Sequence, residues 1–274
     1  MSLAPDYFDV LNIVDETDKV DIIQSLIGND CLGTYFKNGV ALLYFDGGKR
    51  GNIEVCLNNI NADFHIQWNW KKQNKEDWHL AWQDNFTPVI IDKKLAVIPH
   101  WEDDISADVV IKIKPGMAFG TGHHETTWLM LNQVLKHVKP EMSVLDLGAG
   151  SGILSITANK LGAKKVDAVE FDSDCESNFY ENLQFNQIKE NIHYYSHDVL
   201  KWNNFNYDII LANINRNVLE GLIPKFRLTK AKIILSGLLE TDYDVIEKLC
   251  QKHNFQVKEK MIKGEWICLE INSL

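Results

Sequence analysis
The chain has 274 residues, 45% of them hydrophobic, 24% charged and 10% aromatic, enough apolar material for a real core and for two ordinary domains. That composition excludes wholesale disorder, collagen-like repeats and coiled coil, and no apolar run reaches the roughly 18 residues of a membrane span. Acidic residues outnumber basic ones 38 to 28, a formal net charge of −10 that repels phosphate backbones, so direct nucleic-acid binding is not expected.

The start, Met1-Ser-Leu-Ala-Pro-Asp-Tyr-Phe-Asp, lacks a basic n-region and an apolar h-region, so no signal peptide is expected. Five scattered cysteines (Cys31, Cys56, Cys175, Cys250, Cys268) form no Cys-x-x-Cys pair. Neither a disulfide framework nor a zinc site is indicated, and a reducing cytoplasm is the expected home.

The first 70 residues read as a small α+β unit. Tyr7–Val14 is a strand candidate, and Asp18–Gly28 carries Val20, Ile22, Ile23, Leu26 and Ile27 at helical spacing. Gly33–Lys37 and Val40–Phe45 flank Asn38-Gly39, a dipeptide suited to a tight hairpin. Ile53–Ile60 predicts a second helix, and Asp63–Trp70 alternates like a strand. The order βαββαβ is the ferredoxin-like plan.

Lys71–Glu76 is charged and has almost nothing to bury, which predicts an inter-domain linker. Asp77–Phe86 follows as a short amphipathic connector helix with Trp78, Trp82 and Phe86 at four-residue steps, and Val89–Ile91 and Leu95–Pro99 as two strands. The expected division is residues 1–70, a linker and connector over 71–105, and residues 106–274.

From about Val109 strands and helices alternate. Strands are predicted at Ser143–Leu147, Lys165–Glu170, Ile192–Ser196, Tyr207–Ala212 and Lys232–Ser236, with helices at Gly152–Leu161, Cys175–Asn186, Asn217–Leu228 and Tyr243–His253. Short apolar runs suit a parallel sheet covered on both faces. Phe255–Lys263 and Glu265–Ile271 flank Gly264 with no room for a crossover, so that pair must be antiparallel.

The strongest motif is Val144-Leu-Asp146-Leu-Gly148-Ala-Gly150-Ser-Gly152-Ile153, an apolar strand running through three glycines into a helix. Such a turn lets a ligand lie against bare peptide at a partially positive helix end. Glu170 ends the next strand, 22 positions after Gly148, where a carboxylate can accept both ribose hydroxyls of an adenosine. Dinucleotide folds favour G-x-G-x-x-G, whereas this spacing is G-x-G-x-G with Asp146 two residues before the first glycine. Those features favour S-adenosyl-L-methionine (AdoMet) over a dinucleotide, and a ligand over a bare tight turn. The antiparallel last strand agrees, since it resembles the seven-stranded sheet of class I AdoMet-dependent methyltransferases, a Rossmann-like α/β fold.

A second glycine-rich run, Pro115-Gly-Met-Ala-Phe-Gly-Thr-Gly-His-His-Glu-Thr-Thr127, lacks the Gly-Lys-Ser/Thr of a phosphate loop. Consecutive His123, His124 and Glu125 point in different directions, so no metal is expected there. Each histidine could face substrate or solvent with equal ease. Flexible glycines before a helix suit a lid, and Thr126 or Thr127 then offers a hydroxyl at the helix entrance. The third signal is Ile209-Ile-Leu-Ala-Asn213-Ile-Asn215-Arg216. Asn213, just past an apolar strand, is a candidate for the reacting centre or, alternatively, the N-cap of the following helix. Asp198 could accept from the adenine amine or serve as a plain turn aspartate.

At these residues the sequence resembles the PrmA family, the methyltransferases of ribosomal large-subunit protein eleven. The resemblance spans nearly the whole chain, including the connector (Trp78, Trp82, Phe86, Pro88), Pro99-His100-Trp101, the stretch Pro115–Thr127 and Ala212-Asn213-Ile214. It implies AdoMet as cofactor, held by Thr127, Asp146, Gly148, Gly150, Gly152, Glu170, Asp198 and Asn213, of which Thr127, Gly148, Glu170 and Asn213 match family cofactor positions. It also implies trimethylation of lysine ε-amines and the α-amine of that ribosomal protein, with substrate recognised by residues 1–70; separately from the resemblance, a monomer is the expected working unit. Two departures stand out. The family usually continues Asn-Ile-Leu-Ala where this chain has Asn213-Ile-Asn215-Arg216, and Glu170 stands where Asp is commoner. Another protein or a small amine as substrate, with Arg216 pairing an acidic group, and a non-catalytic ribosome-assembly binder are the competing readings. Glutamine or adenine methylation is disfavoured because no Pro-Pro-aromatic run follows Asn213.

Overall fold
A computed structural model describes residues 7–14, 31, 33–37, 40–64, 67–74, 88–103, 105–114 and 125–274. The chain divides into two compact units, residues 1–86 and 87–274.

In the first unit, β1 (Tyr7–Val14), β2 (Gly33–Lys37), β3 (Val40–Asp46) and β4 (Trp68–Asn74) form an antiparallel sheet in the order β2-β3-β1-β4. Helix α1 (Arg50–Phe64) connects β3 to β4. Leu11 and Ile13 from β1 and Ala41, Leu43 and Phe45 from β3 alternate inward, and Ile53 and Leu57, one helical turn apart, close the core. The buried carboxylate of Asp9 accepts from Gly48 N at 2.7 Å and Arg50 N at 3.4 Å, which sets the turn that starts the helix. This is the ferredoxin-like strand order. The expected helix Asp18–Gly28, the turn Asn38-Gly39 and the connector over Asp77–Phe86 lie outside the described residues.

Several boundaries here differ from expectation, α1 running over Arg50–Phe64 in place of the expected Ile53–Ile60. Asp63 and Phe64 finish α1 rather than begin a strand, because nothing before Phe64 breaks the helix. Lys71–Asn74, expected as linker, extend β4 and pair with Val10–Tyr7 of β1. Backbone ladder bonds do not need apolar side chains, so the length of β1 recruits these polar residues. Lys72 Nζ also sits 4.4 Å from the centre of the Tyr7 ring.

In the second unit, β5 (Val89–Ile91), β6 (Leu95–Pro99) and β7 (Val109–Ile113) make a three-stranded sheet, β7 being parallel to β6. The rest alternates: α2 (Glu125–His137), β8 (Ser143–Leu147), α3 (Ile153–Lys160), β9 (Lys165–Glu170), α4 (Asp174–Phe185), β10 (Ile192–Ser196) and β11 (Ile209–Asn213). Then come α5 (Arg216–Leu222), which tightens into a 3-10 turn through Pro224, β12 (Lys232–Leu239), α6 (Tyr243–Lys252), β13 (Phe255–Lys263) and β14 (Trp266–Ser273). The sheet order is β10-β9-β8-β11-β12-β14-β13, with β14 antiparallel to both neighbours. This is the seven-stranded arrangement expected of a class I methyltransferase sheet.

One face carries Val144, Val166, Ala168, Leu211 and Ile234 under α2, α3 and α4; the other carries Leu145, Leu147, Ile210, Ala212 and Leu235 under α5 and α6. Each fully buried Leu or Ile side chain contributes roughly 1.5–3 kcal/mol, so this double layer holds the strand ends rigidly in register. The chain order reverses between β8 and β11, which opens the crevice at their carboxyl ends where ligands of open α/β sheets bind.

At the opposite end, His137, Glu259 and Glu270 bring their ligand atoms within 4.8 Å of one another. Lys136 lies 2.6 Å from Glu259, and Lys232 pairs with Glu270, so ammonium groups already neutralise both carboxylates. The cluster clamps α2 to β12, β13 and β14.

Candidate functional site
Asp146 ends the inward stripe of β8, and the backbone then turns through Gly148, Gly150 and Gly152 at φ 73°, 51° and 80°. Side chains rarely adopt these angles, which explains three glycines in five residues. Gly148 N and Ala149 N donate to Val169 O at 2.8 and 3.1 Å, tying the turn to β9. Glu170 ties it again: Oε2 accepts from Gly150 N at 2.9 Å, while Oε1 accepts from Phe171 N and Asp172 N at 2.8 and 2.9 Å. A carboxylate has about four lone-pair sites, so Glu170 fixes two turns and keeps capacity at the rim of the crevice. The glycines have separate neighbours. A Cβ on Gly152 would lie 2.7 Å from the Phe179 ring, and one on Gly148 would lie 3.3 Å from the Ile214 side chain. The third glycine therefore serves the packing of the turn on α4.

Asp146 is wholly buried. Ser155 Oγ donates to its Oδ2 at 2.6 Å, but Oδ1 is buried without a partner. Burial pushes this carboxyl up to about 6, opposed by the Ser155 hydrogen bond and reinforced by the nearby charge of Glu170. Two further acceptors share this condition: Thr127 Oγ1 in the first turn of α2, and Asn213 Oδ1 at the end of β11. Their elements converge. Ala212 pairs with Leu147 and Leu147 with Val169, so Asn213 and Glu170 flank the start of the glycine turn. Helix α2 packs across β11 and β12, and Glu125 at its start approaches Gly264 in the hairpin whose Trp266 pairs with Leu239, the carboxyl end of β12.

The helix cap is Asn215, whose Oδ1 accepts from Val218 N at 3.2 Å, so Asn213 is not needed for that role. Arg216 is held by Glu220 at 3.1 Å and Asp242 at 2.9 Å, an intramolecular engagement that removes the support it lent to an acidic substrate. Asp198 caps the 3-10 turn Val199–Lys201 through Leu200 N at 2.9 Å, the plain turn role considered for it. The segment Pro115–His124, with His123 and His124, lies outside the described residues.

The sequence reading missed Ser155, which holds Asp146, and Gly237. Gly237 has φ 84° at the irregularity in β12, and a Cβ there would sit 2.3 Å from Ile214 O, while Ile214 N donates to Ser236 O at 3.1 Å. The available signal was a Ser-Gly pair inside an apolar strand, which marks a bulge or a close backbone approach. Gly237→Ala should lower stability by about 2–4 kcal/mol through left-handed strain plus this clash and displace residues 213–214. Gly51→Ala, on the open surface of α1, is the control. Equal melting temperatures for the two variants would contradict the assignment.

A family model described as ribosomal protein L11 methyltransferase (PrmA) matches residues 38–273. A ribosomal protein L11 methyltransferase of Lactobacillus gasseri is 39% identical over 207 residues, covering 73% of this chain and 65% of the relative. One of Prochlorococcus marinus is 36% identical over 229 residues, covering 80% of this chain and 76% of the relative. The solved ribosomal protein L11 methylase of Lactobacillus delbrueckii subsp. bulgaricus superposes with a TM-score of 0.63 at 33% identity, over 69% of this chain and 99% of that one. The match thus spans just under two thirds of the L. gasseri relative's length. With a family match running from residue 38 to residue 273 on this sheet and turn, the chain belongs to the ribosomal protein L11 methyltransferase (PrmA) family.

Proposed function
We propose that the protein is an AdoMet-dependent N-methyltransferase that modifies lysine ε-amines and the N-terminal α-amine of ribosomal protein L11, carrying them to the trimethylated state. The observation that supports this most is the set of three buried, unpartnered acceptors, Thr127 Oγ1, Asp146 Oδ1 and Asn213 Oδ1, grouped on elements around one glycine turn. A buried polar atom without a partner costs about 1–3 kcal/mol, so a ligand that satisfies these atoms gains that much. AdoMet fits the donor set: its ammonium and sulfonium are cations suited to the carboxylate of Asp146, and its ribose hydroxyls to the rim of Glu170. Thr127 and the turn backbone would complete the cradle.

When bound, AdoMet supplies a methyl group activated by a sulfonium. The work of this chain is alignment of the neutral amine with that methyl group. A lysine of pKa near 10.4 costs about 4–5 kcal/mol to deprotonate at pH 7, an α-amine near pKa 8 only about 1. Asn213 Oδ1, a neutral acceptor, can hold the N–H of an uncharged amine and leave its lone pair free for attack. The N-terminal unit, with its own core and sheet, is the part available for substrate recognition. Incubating the protein with methyl-labelled AdoMet and purified large-subunit ribosomal proteins should place label in L11 and, after digestion, on lysine and α-amino nitrogens. Label on another protein, or none, would overturn the reading.

A further inference from the structure
Helix α4 carries Asn178 and Asn182 and is capped at its C-terminus by Asn186; the four-residue spacing puts three amides on one stripe. That stripe runs along the edge of β7 and takes the place of a neighbouring strand. Asn186 Oδ1 accepts from Lys112 N at 2.9 Å, and its Nδ2 donates to Lys112 O at 2.6 Å. Asn182 Oδ1 accepts from Lys114 N at 2.8 Å, and Asn178 Nδ2 donates to Lys114 O at 3.3 Å. A primary amide offers the same donor and acceptor as a peptide group, so the ladder is completed by side chains.

Asn182 does one thing more. Its Nδ2 donates to Ser151 O at 2.8 Å, inside the glycine turn, and to Asn178 Oδ1 at 3.1 Å. The side chain is fully buried and every hydrogen of its amide is used. The turn is therefore held at three successive residues: Gly150 by Glu170, Ser151 by Asn182, and Gly152 against Phe179. A ligand that lies on bare backbone is sensitive to displacements of about an ångström in that backbone.

We propose that Asn182 is a positioning residue for cofactor binding, which sets the glycine turn through Ser151 and locks it to the end of β7 through Lys114. It acts through the turn, and the inference rests on the reading that this turn holds AdoMet. Asn182→Asp is the discriminating variant. It keeps an oxygen for Lys114 N but sets a carboxylate against Ser151 O. Asn186→Asp is the matched control, a carboxylate on the same stripe that touches β7 but not the turn.

In calorimetric titrations with AdoMet, Asn182→Asp should raise Kd by about 10-fold or more, while Asn186→Asp stays within about twofold at a similar loss of melting temperature. Turnover at saturating AdoMet should change little in Asn182→Asp, so the loss appears in KM for AdoMet. An unchanged Kd for Asn182→Asp, or an equal shift in both variants, would overturn the inference. Should Asn182→Asp not fold, Asn182→Ser against Asn186→Ser gives the same comparison. Asp146→Asn separates the two levels: if it too leaves Kd unchanged, the assignment of the turn fails; if it alone raises Kd, only the role of Asn182 fails.

Discussion

Asp146→Asn should stabilise the cofactor-free protein above pH 6 while weakening AdoMet binding by about 10- to 100-fold, the usual worth of a hydrogen bond to a charged group. The stability half follows from linkage. The carboxyl is pushed up from 3.8 to about 6 by burial, so folding is opposed wherever the group is ionised. This is the reverse of a salt-bridged aspartate: the folded state binds the proton more tightly than the unfolded state. Wild-type stability therefore falls as pH rises from about 4 to about 6, by about 3 kcal/mol, and stays low above that. Asparagine keeps the acceptor for Ser155 and removes the charge, at the cost of an unsatisfied amide of about 1–2 kcal/mol where Oδ1 stood. The net gain at pH 8 is about 1–2 kcal/mol, and at pH 4 the advantage should vanish or reverse. Melting curves of the cofactor-free proteins at both pH values, with calorimetry at pH 8, check the two halves separately. A pH-independent difference would mean that the carboxylate is not strained, and an unchanged Kd would mean that it does not face the cofactor. A carboxylate that destabilises the fold at working pH is the kind of group that a binding site retains.

The parallel sheet was legible because its central strands are buried on both faces and read as short, mostly apolar runs; Ser143–Leu147 and Lys165–Glu170 appear at the expected bounds, as does the edge strand Ile192–Ser196, whose residues are half-buried or exposed. Strand β7 was not legible. Lys112 interrupts its apolar pattern, and what completes its edge is a row of amides some 65 to 75 residues further along the chain. The end of β4 was hidden for a related reason, since polar residues join a sheet when a partner strand is long enough. The glycine turn was readable from local chemistry alone: spacing, an acidic residue before it and another after the next strand. Choosing between Asn213 and Asn215 as helix cap was beyond local reading, because both are polar residues behind an apolar strand, and only the backbone path assigns the cap to Asn215. Gly237 and Asn182 owe their roles to residues distant in sequence, Ile214 in one case and Ser151 and Lys114 in the other.

Asn213→Ala should lower turnover by about 100- to 1000-fold while raising the AdoMet Kd less than about 10-fold, since misplacing a reactant by an ångström alone costs about two orders of magnitude. The sharper test is Asn213→Asp, which preserves shape and backbone but places a negative charge where Oδ1 now stands unpartnered. A neutral acceptor does not distinguish strongly between an amine and its ammonium form. A carboxylate a hydrogen bond away favours the ammonium and raises the pKa of the bound amine by about 1–3 units. The rate then depends on a higher pH to free the lone pair. The acid limb of the pH–rate profile should move up by a similar amount in Asn213→Asp, with activity partly recovered at high pH. In Asn213→Ala the limb should keep its position and lose only height. If instead Asn213 served the cofactor alone, both variants would raise KM for AdoMet, turnover at saturation would persist, and the profiles would coincide with that of the wild type. Both amines are mostly protonated at pH 7, so an equal rise in pKa cuts the neutral fraction of each by nearly the same factor of about 10 per unit. Mass spectrometry of the digested substrate should therefore show α-amine and ε-amine methylation falling together in Asn213→Asp, with their ratio close to that of the wild type; a loss confined to one class of amine would mean that Asn213 does not face both.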